Sequence, residues 1–201
     1  MSQQRDHDSP SSSALDLPVE DERFGAALLD ALASDASRPA PRGLRDLLTR
    51  APLRGRLYRF TEPLAALMDV DHATAQALLD GLDEPEPFEP GPFPGLDIAL
   101  RHISGGPAVQ NAITGFVRVG PGTAFPHHEH LGDEHVLILQ GHCVETHTGT
   151  VAGPGEVVTR PGGTAHEIEA LPGATDLVYL AVVYTGVRIG DTVMGPGSPE
   201  L

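Results

Sequence analysis

The sequence has a single cysteine, Cys143, and no long run of apolar residues. One thiol excludes a framework of intramolecular disulfides, which is typical of a reducing compartment. The apolar run at residues 177–183 is far shorter than the ~20 residues that a membrane-spanning helix requires. Residues 1–20 are polar and acidic and lack the basic start and apolar stretch of a secretory signal. We therefore expect a cytoplasmic protein that does not enter a membrane.

Lysine is absent, and the basic residues are thirteen arginines against 28 acidic residues. The formal net charge of −15 argues against direct binding of nucleic acid or anionic membranes, because the field repels phosphate groups. Between residues 38 and 60, however, the only acid is Asp46, and seven arginines give this arginine-rich segment seven positive charges against one negative: Arg38, Arg42, Arg45, Arg50, Arg54, Arg56 and Arg59. Such a segment is either a solvated face or a docking site for an acidic protein partner or for nucleic acid.

The chain divides by composition into five parts. Residues 1–20 are rich in Ser, Asp and Pro and predict a disordered tail, and residues 21–82 show helical spacing of apolar residues. Residues 83–94 form a Pro-rich linker, which predicts a domain boundary. Residues 95–190 contain short runs rich in Val, Ile, Leu, Thr and Tyr between Gly and Pro turns, and a C-terminal tail spans 191–201. The recurring short runs predict a mainly β barrel or double-sheet jelly roll.

The spacing of apolar residues in 62–82 predicts two short helices separated by a turn. Asp71 stands where it can cap the second helix. A DNA-reading helix presents Arg, Lys, Asn or Gln to the bases, whereas this one offers only His72 and Gln76 beside acidic flanks. The composition favours helix packing or protein docking over DNA recognition.

Four of the ten histidines lie between Gly122 and Gly141. His128 and His130 are two residues apart, so on a strand both side chains point to the same face. Glu134 follows a turn and opens the next strand. Further along the chain, Pro161 and two glycines predict a tight turn that leads to His166 at the start of another strand.

These residues resemble the two signature motifs of the cupin superfamily. The first motif is met in full by Gly122, His128, His130, Glu134 and Gly141, and the second by Gly155, Pro161, Gly163 and His166. Ala170 replaces the Asn that ends the second motif, at a packing or turn position that does not bind metal. The resemblance implies a cupin double-stranded β-helix, a jelly-roll barrel, preceded by a small helical region.

The resemblance also implies one divalent metal ion per chain, bound by His128, His130, Glu134 and His166. Three imidazoles and one carboxylate suit zinc, and equally Fe, Mn, Ni or Cu. The alternative is a metal-free barrel mouth lined by the same polar groups. His127 and His135 are each one residue from a ligand and are predicted to face away. Cys143 is either a small buried hydrophobe or a neighbour of the metal, and Glu145, Tyr179 and Tyr184 are loose candidates for an acid or base.

Within the cupins the barrel resembles the ChrR-like group, which includes anti-sigma factors with a zinc-binding helical domain. The zinc motif of that domain, His-x3-Cys-x2-Cys, has no counterpart here, because no cysteine precedes Cys143. The resemblance implies zinc and a regulatory or sensing role. It further implies a sigma factor or other acidic protein as partner and a small-molecule or oxidant ligand in the barrel.

Two other functions stay open at the level of sequence. One is a mononuclear metal-dependent enzyme such as a dioxygenase or an isomerase, which the same ligands would serve. The other is a metal-stabilised binding module without turnover. In any of these roles we expect a homodimer that pairs through outer sheet faces, where Leu137, Leu139 and residues 177–183 supply apolar surface.

Overall fold

The computed structural model describes residues 55–83 and 88–198. Residues 57–201 belong to one compact unit. The predicted disordered tail, most of the predicted N-terminal helices and five of the seven arginines in the arginine-rich segment lie outside the described residues. The division of the chain into five parts stays a prediction.

Two short α-helices precede the strands. Helix α1 spans Thr61–Met68 and ends at Asp69, which adopts a left-handed conformation with φ 54°. Helix α2 spans His72–Asp80, and the Asp71 side chain accepts a hydrogen bond of 2.7 Å from the Thr74 amide. Asp71 therefore caps α2 as the sequence predicts. Short 3₁₀ helices lie at Tyr58–Phe60, Gly81–Asp83 and Pro107–Val109.

The described residues contain twelve β-strands. In chain order they are β1 Glu89–Pro90, β2 Ile98–His102, β3 Ala112–Val119, β4 Ala124–His130, β5 Glu134–Gln140, β6 Cys143–Glu145, β7 Val151–Ala152, β8 Val157–Arg160, β9 Ala165–Ala170, β10 Leu177–Tyr184, β11 Val187–Ile189 and β12 Thr192–Met194. They form two antiparallel six-stranded sheets, with strand orders β1-β2-β3-β10-β5-β8 and β12-β11-β4-β9-β6-β7. The mainly β jelly-roll barrel predicted from the sequence is confirmed.

Alternation along strand β5 places its apolar side chains in two different apolar clusters. Val136 and Ile138 point into the barrel, where they join Val119 and Tyr179 in one cluster. Leu137 and Leu139 point the other way and pack in a second cluster that includes residues of both helices. The helical members of this second cluster are fully buried: Leu64, Met68, Ala75 and Leu79. The helix pair therefore covers the outer face of the first sheet, because that face is as apolar as the barrel interior.

This packing corrects the predicted dimer surface. Leu137 is 0% exposed and Leu139 is 2% exposed in the single chain, because residues of the chain's own helices pack against them. Residues 177–183 are likewise largely buried on both faces of β10. A homodimer stays a prediction, but these residues do not offer it an exposed surface.

The described part of the Pro-rich stretch, residues 83 and 88–94, lies within the same compact unit as the helices and the barrel. This part contains the edge strand β1, which pairs with β2. It also contains Phe93, whose ring lies 5.2 Å from that of Phe125. Among the helices that the structure describes, none has the length and apolar character to span a membrane.

Leu64→Ala tests the helix-to-sheet packing. Because Leu64 is fully buried in the cluster that joins helix and sheet, its truncation removes apolar contacts and leaves a cavity. We expect the free energy of unfolding to fall by about 2–5 kcal/mol, measured by urea denaturation. The exposed Glu62→Ala on the same helix is the control and should stay within about 0.5 kcal/mol of wild type. Similar effects of the two substitutions would contradict this packing.

Candidate metal centre

The candidate site lies between the two sheets, because each sheet supplies part of it. Strand β4 carries His128 and His130, and the neighbouring strand β9 carries His166. The β4–β9 register places His128 directly opposite His166. Glu134 is the first residue of β5 in the other sheet. The barrel thus brings together all four side chains that the sequence singles out.

The turn before His166 has the tight geometry that its glycines predict. Gly163 has a φ of +81°, a conformation that other residues rarely adopt. Its amide donates to the His130 carbonyl over 2.8 Å, and the His130 amide donates to the Thr164 carbonyl over 2.9 Å. These two bonds tie the turn to β4, so the backbone that leads to His166 is held against the backbone of His130.

The four side chains converge on one point. One ligand atom of each lies within 4.8 Å of the others, and all four residues are buried, His130 completely. The His128 Nε2 to His166 Nε2 distance is 3.0 Å, and the Glu134 Oε2 lies 3.2 Å from His130 Nε2 and 3.7 Å from His166 Nε2. Ligands at about 2.0–2.2 Å from a shared ion have separations of this size. The cluster can therefore hold a metal ion.

Hydrogen bonds on the far side of two imidazoles orient their rings. His128 Nδ1 lies 2.8 Å from the Pro126 carbonyl, which can only accept. His130 Nδ1 lies 3.2 Å from the Thr164 hydroxyl, which itself donates to the Pro161 carbonyl over 2.7 Å. Both Nδ1 atoms are thereby donors, so each Nε2 is left with its lone pair directed to the centre.

A buried nitrogen atom without a partner also points to a bound ion. Within the described part of the chain, His130 Nε2 has no hydrogen-bond partner although it is fully buried. A buried polar atom is normally paired, because leaving it unpaired costs about 1–3 kcal/mol. Coordination of a metal by this nitrogen removes that cost, and this fits the four-residue site.

A charged pair that the sequence largely fails to indicate lies behind His166. Its Nδ1 lies 3.9 Å from Glu145 Oε1. The other oxygen of Glu145 lies 3.2 Å from Arg160 Nη2 and accepts a 2.8 Å bond from the Thr148 hydroxyl. Glu145 was only a loose acid or base candidate, and Arg160 was not singled out at all, although it directly precedes the turn of the second motif.

Burial and neighbouring charges give the cluster the protonation state that metal binding requires. Burial lowers the pKa of His128, and burial together with the nearby His128 lowers the pKa of His166 to about 3. Burial by itself raises the pKa of Glu134, but the neighbouring imidazoles, His130 foremost, outweigh it, so the pKa of Glu134 is lowered. At neutral pH, His128 and His166 are neutral and Glu134 is ionised, as metal ligands must be.

A cavity of about 90 Å³ adjoins the cluster inside the barrel. His128, Glu134 and His166 reach its wall, as does Tyr179, which is 4% exposed. Burial raises the pKa of Tyr179 well above its usual value, so its hydroxyl stays protonated. A small molecule in the cavity would therefore touch the same side chains that can hold a metal.

The remaining sequence candidates lie away from the centre or serve the core. His127 is exposed, and its ring lies 5.9 Å from that of His147. His135 Nδ1 lies 3.0 Å from the Thr159 hydroxyl, and its ring is 6.1 Å from that of Tyr184. Cys143 is 6% exposed in the barrel cluster, and burial raises the pKa of its thiol, so it behaves as a small buried hydrophobe.

Comparison with known proteins matches the barrel to one family. Residues 92–184, which include all four clustered residues, match the ChrR Cupin-like domain. No curated protein matches the chain. Among similar solved structures, Rhodobacter sphaeroides SigE in complex with the anti-sigma ChrR has 20% sequence identity, with 81% of this chain and 79% of that chain covered and a TM-score of 0.44. An RmlC-like cupin protein from Ralstonia eutropha JMP134 has 22% identity, with 54% of this chain and 73% of that chain covered and a TM-score of 0.46. An acetylacetone dioxygenase from Acinetobacter johnsonii has 16% identity, with 56% of this chain and 76% of that chain covered and a TM-score of 0.43.

The low pKa of His166 predicts an acid-sensitive fold in the absence of metal. An unfolded histidine titrates near pH 6.5, whereas folded His166 titrates at about 3, so between these values only the unfolded chain takes up the proton. Stability must therefore fall as the pH is lowered through this window. We expect wild type to lose up to about 3 kcal/mol more than His166→Gln between pH 7 and pH 4, by urea denaturation of the metal-free chain. The exposed His147→Gln is the control and should follow wild type; equal losses in wild type and His166→Gln would refute the assignment.

Glu145→Gln tests whether Glu145 positions His166. The substitution keeps an oxygen for Arg160 but removes the charge behind His166 Nδ1, and loss of such an outer partner typically weakens metal binding about 10–100-fold. Competition with a chelator measures this affinity. Glu167→Gln, which removes the same charge from the opposite face of β9, should leave the affinity unchanged, and His128→Ala with His130→Ala should abolish it. Unchanged affinity in Glu145→Gln would exclude the positioning role.

Proposed function

Since residues 92–184 of this chain match the ChrR Cupin-like domain, we propose that it is a regulatory protein that binds a metal ion in its barrel and senses a small molecule or oxidant there. The observation that carries this proposal is the buried cluster of His128, His130, Glu134 and His166 beside a partly open, largely apolar cavity. Such a site holds an ion firmly and admits only a small ligand to it, as a sensor requires.

Zinc is the proposed metal, at one ion per chain. It accepts three imidazoles and one carboxylate in four-coordinate geometry and has no redox chemistry of its own. The ChrR-like character of the barrel supports the same choice. The ion would supply Lewis acidity at the cavity wall, while the four clustered residues hold it.

The proposed partner is an acidic protein such as a sigma factor, and the proposed contact is the arginine-rich segment 38–60. The support is electrostatic: this segment has seven positive charges against one negative in a chain of net charge −15. A positive patch speeds association with an acidic surface and selects against basic ones. The described barrel offers no comparable patch, since its Arg118 pairs with Asp97 and Asp176.

An enzyme is the second candidate, and the position of the cavity favours it. Three of the four clustered residues reach the cavity wall, so a substrate there would meet the metal directly. A mononuclear dioxygenase or isomerase would use this arrangement, with Tyr179 as a proton donor at the wall.

Charge reversal in the arginine-rich segment discriminates between the two functions. We expect Arg45→Glu, Arg50→Glu and Arg54→Glu together to abolish capture of a sigma factor from the same organism, measured by co-elution, while elemental analysis still finds about one zinc per chain. The matched control changes the same three residues to Lys, which keeps the charge and should keep most of the capture.

The opposite pattern would overturn the regulatory proposal. If the chain consumes dioxygen or converts a substrate, and this activity survives the charge reversal but vanishes in His166→Ala, the protein is an enzyme. Metal content far below one ion per chain that is unchanged in the His128→Ala, His130→Ala double variant would refute both functions.

A further inference from the structure

The wall of the cavity beside the metal cluster is almost entirely apolar. Side chains from both sheets and from the Pro-rich stretch line it, among them Phe93, Phe125, Val136, Ile168, Val183 and Met194. Phe125 continues the apolar wall up to the cluster, since its ring lies 5.2 Å from that of His128. A ligand that fills this space must bury its surface against hydrocarbon, so most of that surface has to be apolar.

The cavity supplies no counter-charge for a strongly anionic ligand. Among the described residues that line it, Arg101 is the one arginine, and its Nη1 donates to the Gly81 carbonyl over 2.6 Å, at the helix pair outside the barrel. His102 lies at the rim and is exposed. A second carboxylate or a phosphate in the cavity would be buried without a partner. The free-energy cost of burying an unpaired charge is far larger than the gain from a few apolar contacts.

One polar group on the ligand can nevertheless be satisfied. A divalent ion held by three neutral imidazoles and one carboxylate keeps one net positive charge, two less one, at the cavity wall. This charge and the Tyr179 hydroxyl would accommodate a single oxygen donor, neutral or singly charged. The site can therefore satisfy one oxygen donor atom, at one end of the ligand.

We propose that the ligand of this site is a small, mostly apolar molecule with a single oxygen donor, such as a phenol, an enol or a short-chain ketone, and that dicarboxylates and phosphorylated compounds are excluded. The enclosed part of the cavity, about 90 Å³, is smaller than the cavity of about 150 Å³ that takes up benzene, so the ligand is no larger than a small ring that extends through the open side. The position of the donor atom in this inference rests on the proposed metal site, whereas the apolar character rests on the wall alone.

Calorimetric titration of the full chain with benzene, phenol, succinate and inorganic phosphate tests the proposal, each with the zinc-loaded and the metal-free protein. Benzene should bind both forms with similar affinity, because it needs only the apolar wall. Phenol should bind the zinc-loaded form about tenfold or more tightly than the metal-free form, because only the former supplies a positively charged partner for its oxygen in addition to the Tyr179 hydroxyl. Succinate and phosphate should bind neither form.

Filling the cavity from β10 provides the matched variants. Ala181→Leu places three more carbon atoms in the wall and should weaken benzene binding about tenfold or more, and Ala181→Val should weaken it less and serve if the larger change prevents folding. Val157→Leu, at a site that is 48% exposed on β8, is the control and should bind benzene as wild type does.

The outcomes separate this inference from the proposed function. Failure of benzene to bind, or binding of succinate more tightly than phenol, would overturn the inference even in a chain that holds zinc. Equal phenol affinity of the two forms of a zinc-binding chain would also overturn it. If the chain holds no zinc, the proposed function fails, and benzene binding to the metal-free chain then decides the apolar character of the site.

Discussion

The antiparallel pairing of β4 with β9 is the constraint on which the site depends. It places His128 directly opposite His166, and the bonds between the Gly163 turn and the His130 backbone hold that register. A slip of one residue would turn His166 out of the barrel and Glu167 into it, because side chains alternate between faces. The convergence of four polar groups in an apolar interior is therefore a property of strand register, and the short turn is what fixes it.

The apolar interior makes this convergence costly without an ion. Three imidazoles and a carboxylate are buried together, and His130 Nε2 has no hydrogen-bond partner in the described chain. Burial lowers the pKa of His166 to about 3, so protonation cannot relieve the cost near neutral pH. A metal ion would satisfy all four groups at once, and its binding would then stabilise the barrel. The same apolar interior continues into the adjoining cavity and so restricts which molecules can reach the ion.

The helix pair buries the apolar outer face of the first sheet. Leu64, Met68 and Leu79 cover Leu137 and Leu139, which would otherwise form an exposed apolar sheet face. Helices and barrel thus share one core, and the Pro-rich stretch that joins them contributes Phe93 to the cavity wall.

The sequence by itself determined the mainly β barrel and the identity of the clustered residues, because period-2 alternation and fixed motif spacing are local properties of the chain. It also determined which face of β5 carries Glu134, Val136 and Ile138. Tertiary structure alone decided that the other face, with Leu137 and Leu139, is covered by the chain's own helices, because helix spacing does not state which surface a helix meets. It likewise decided that Arg160 holds Glu145 behind His166 and that Phe93 faces Phe125, since these pairs are distant in sequence and meet only when the sheets close.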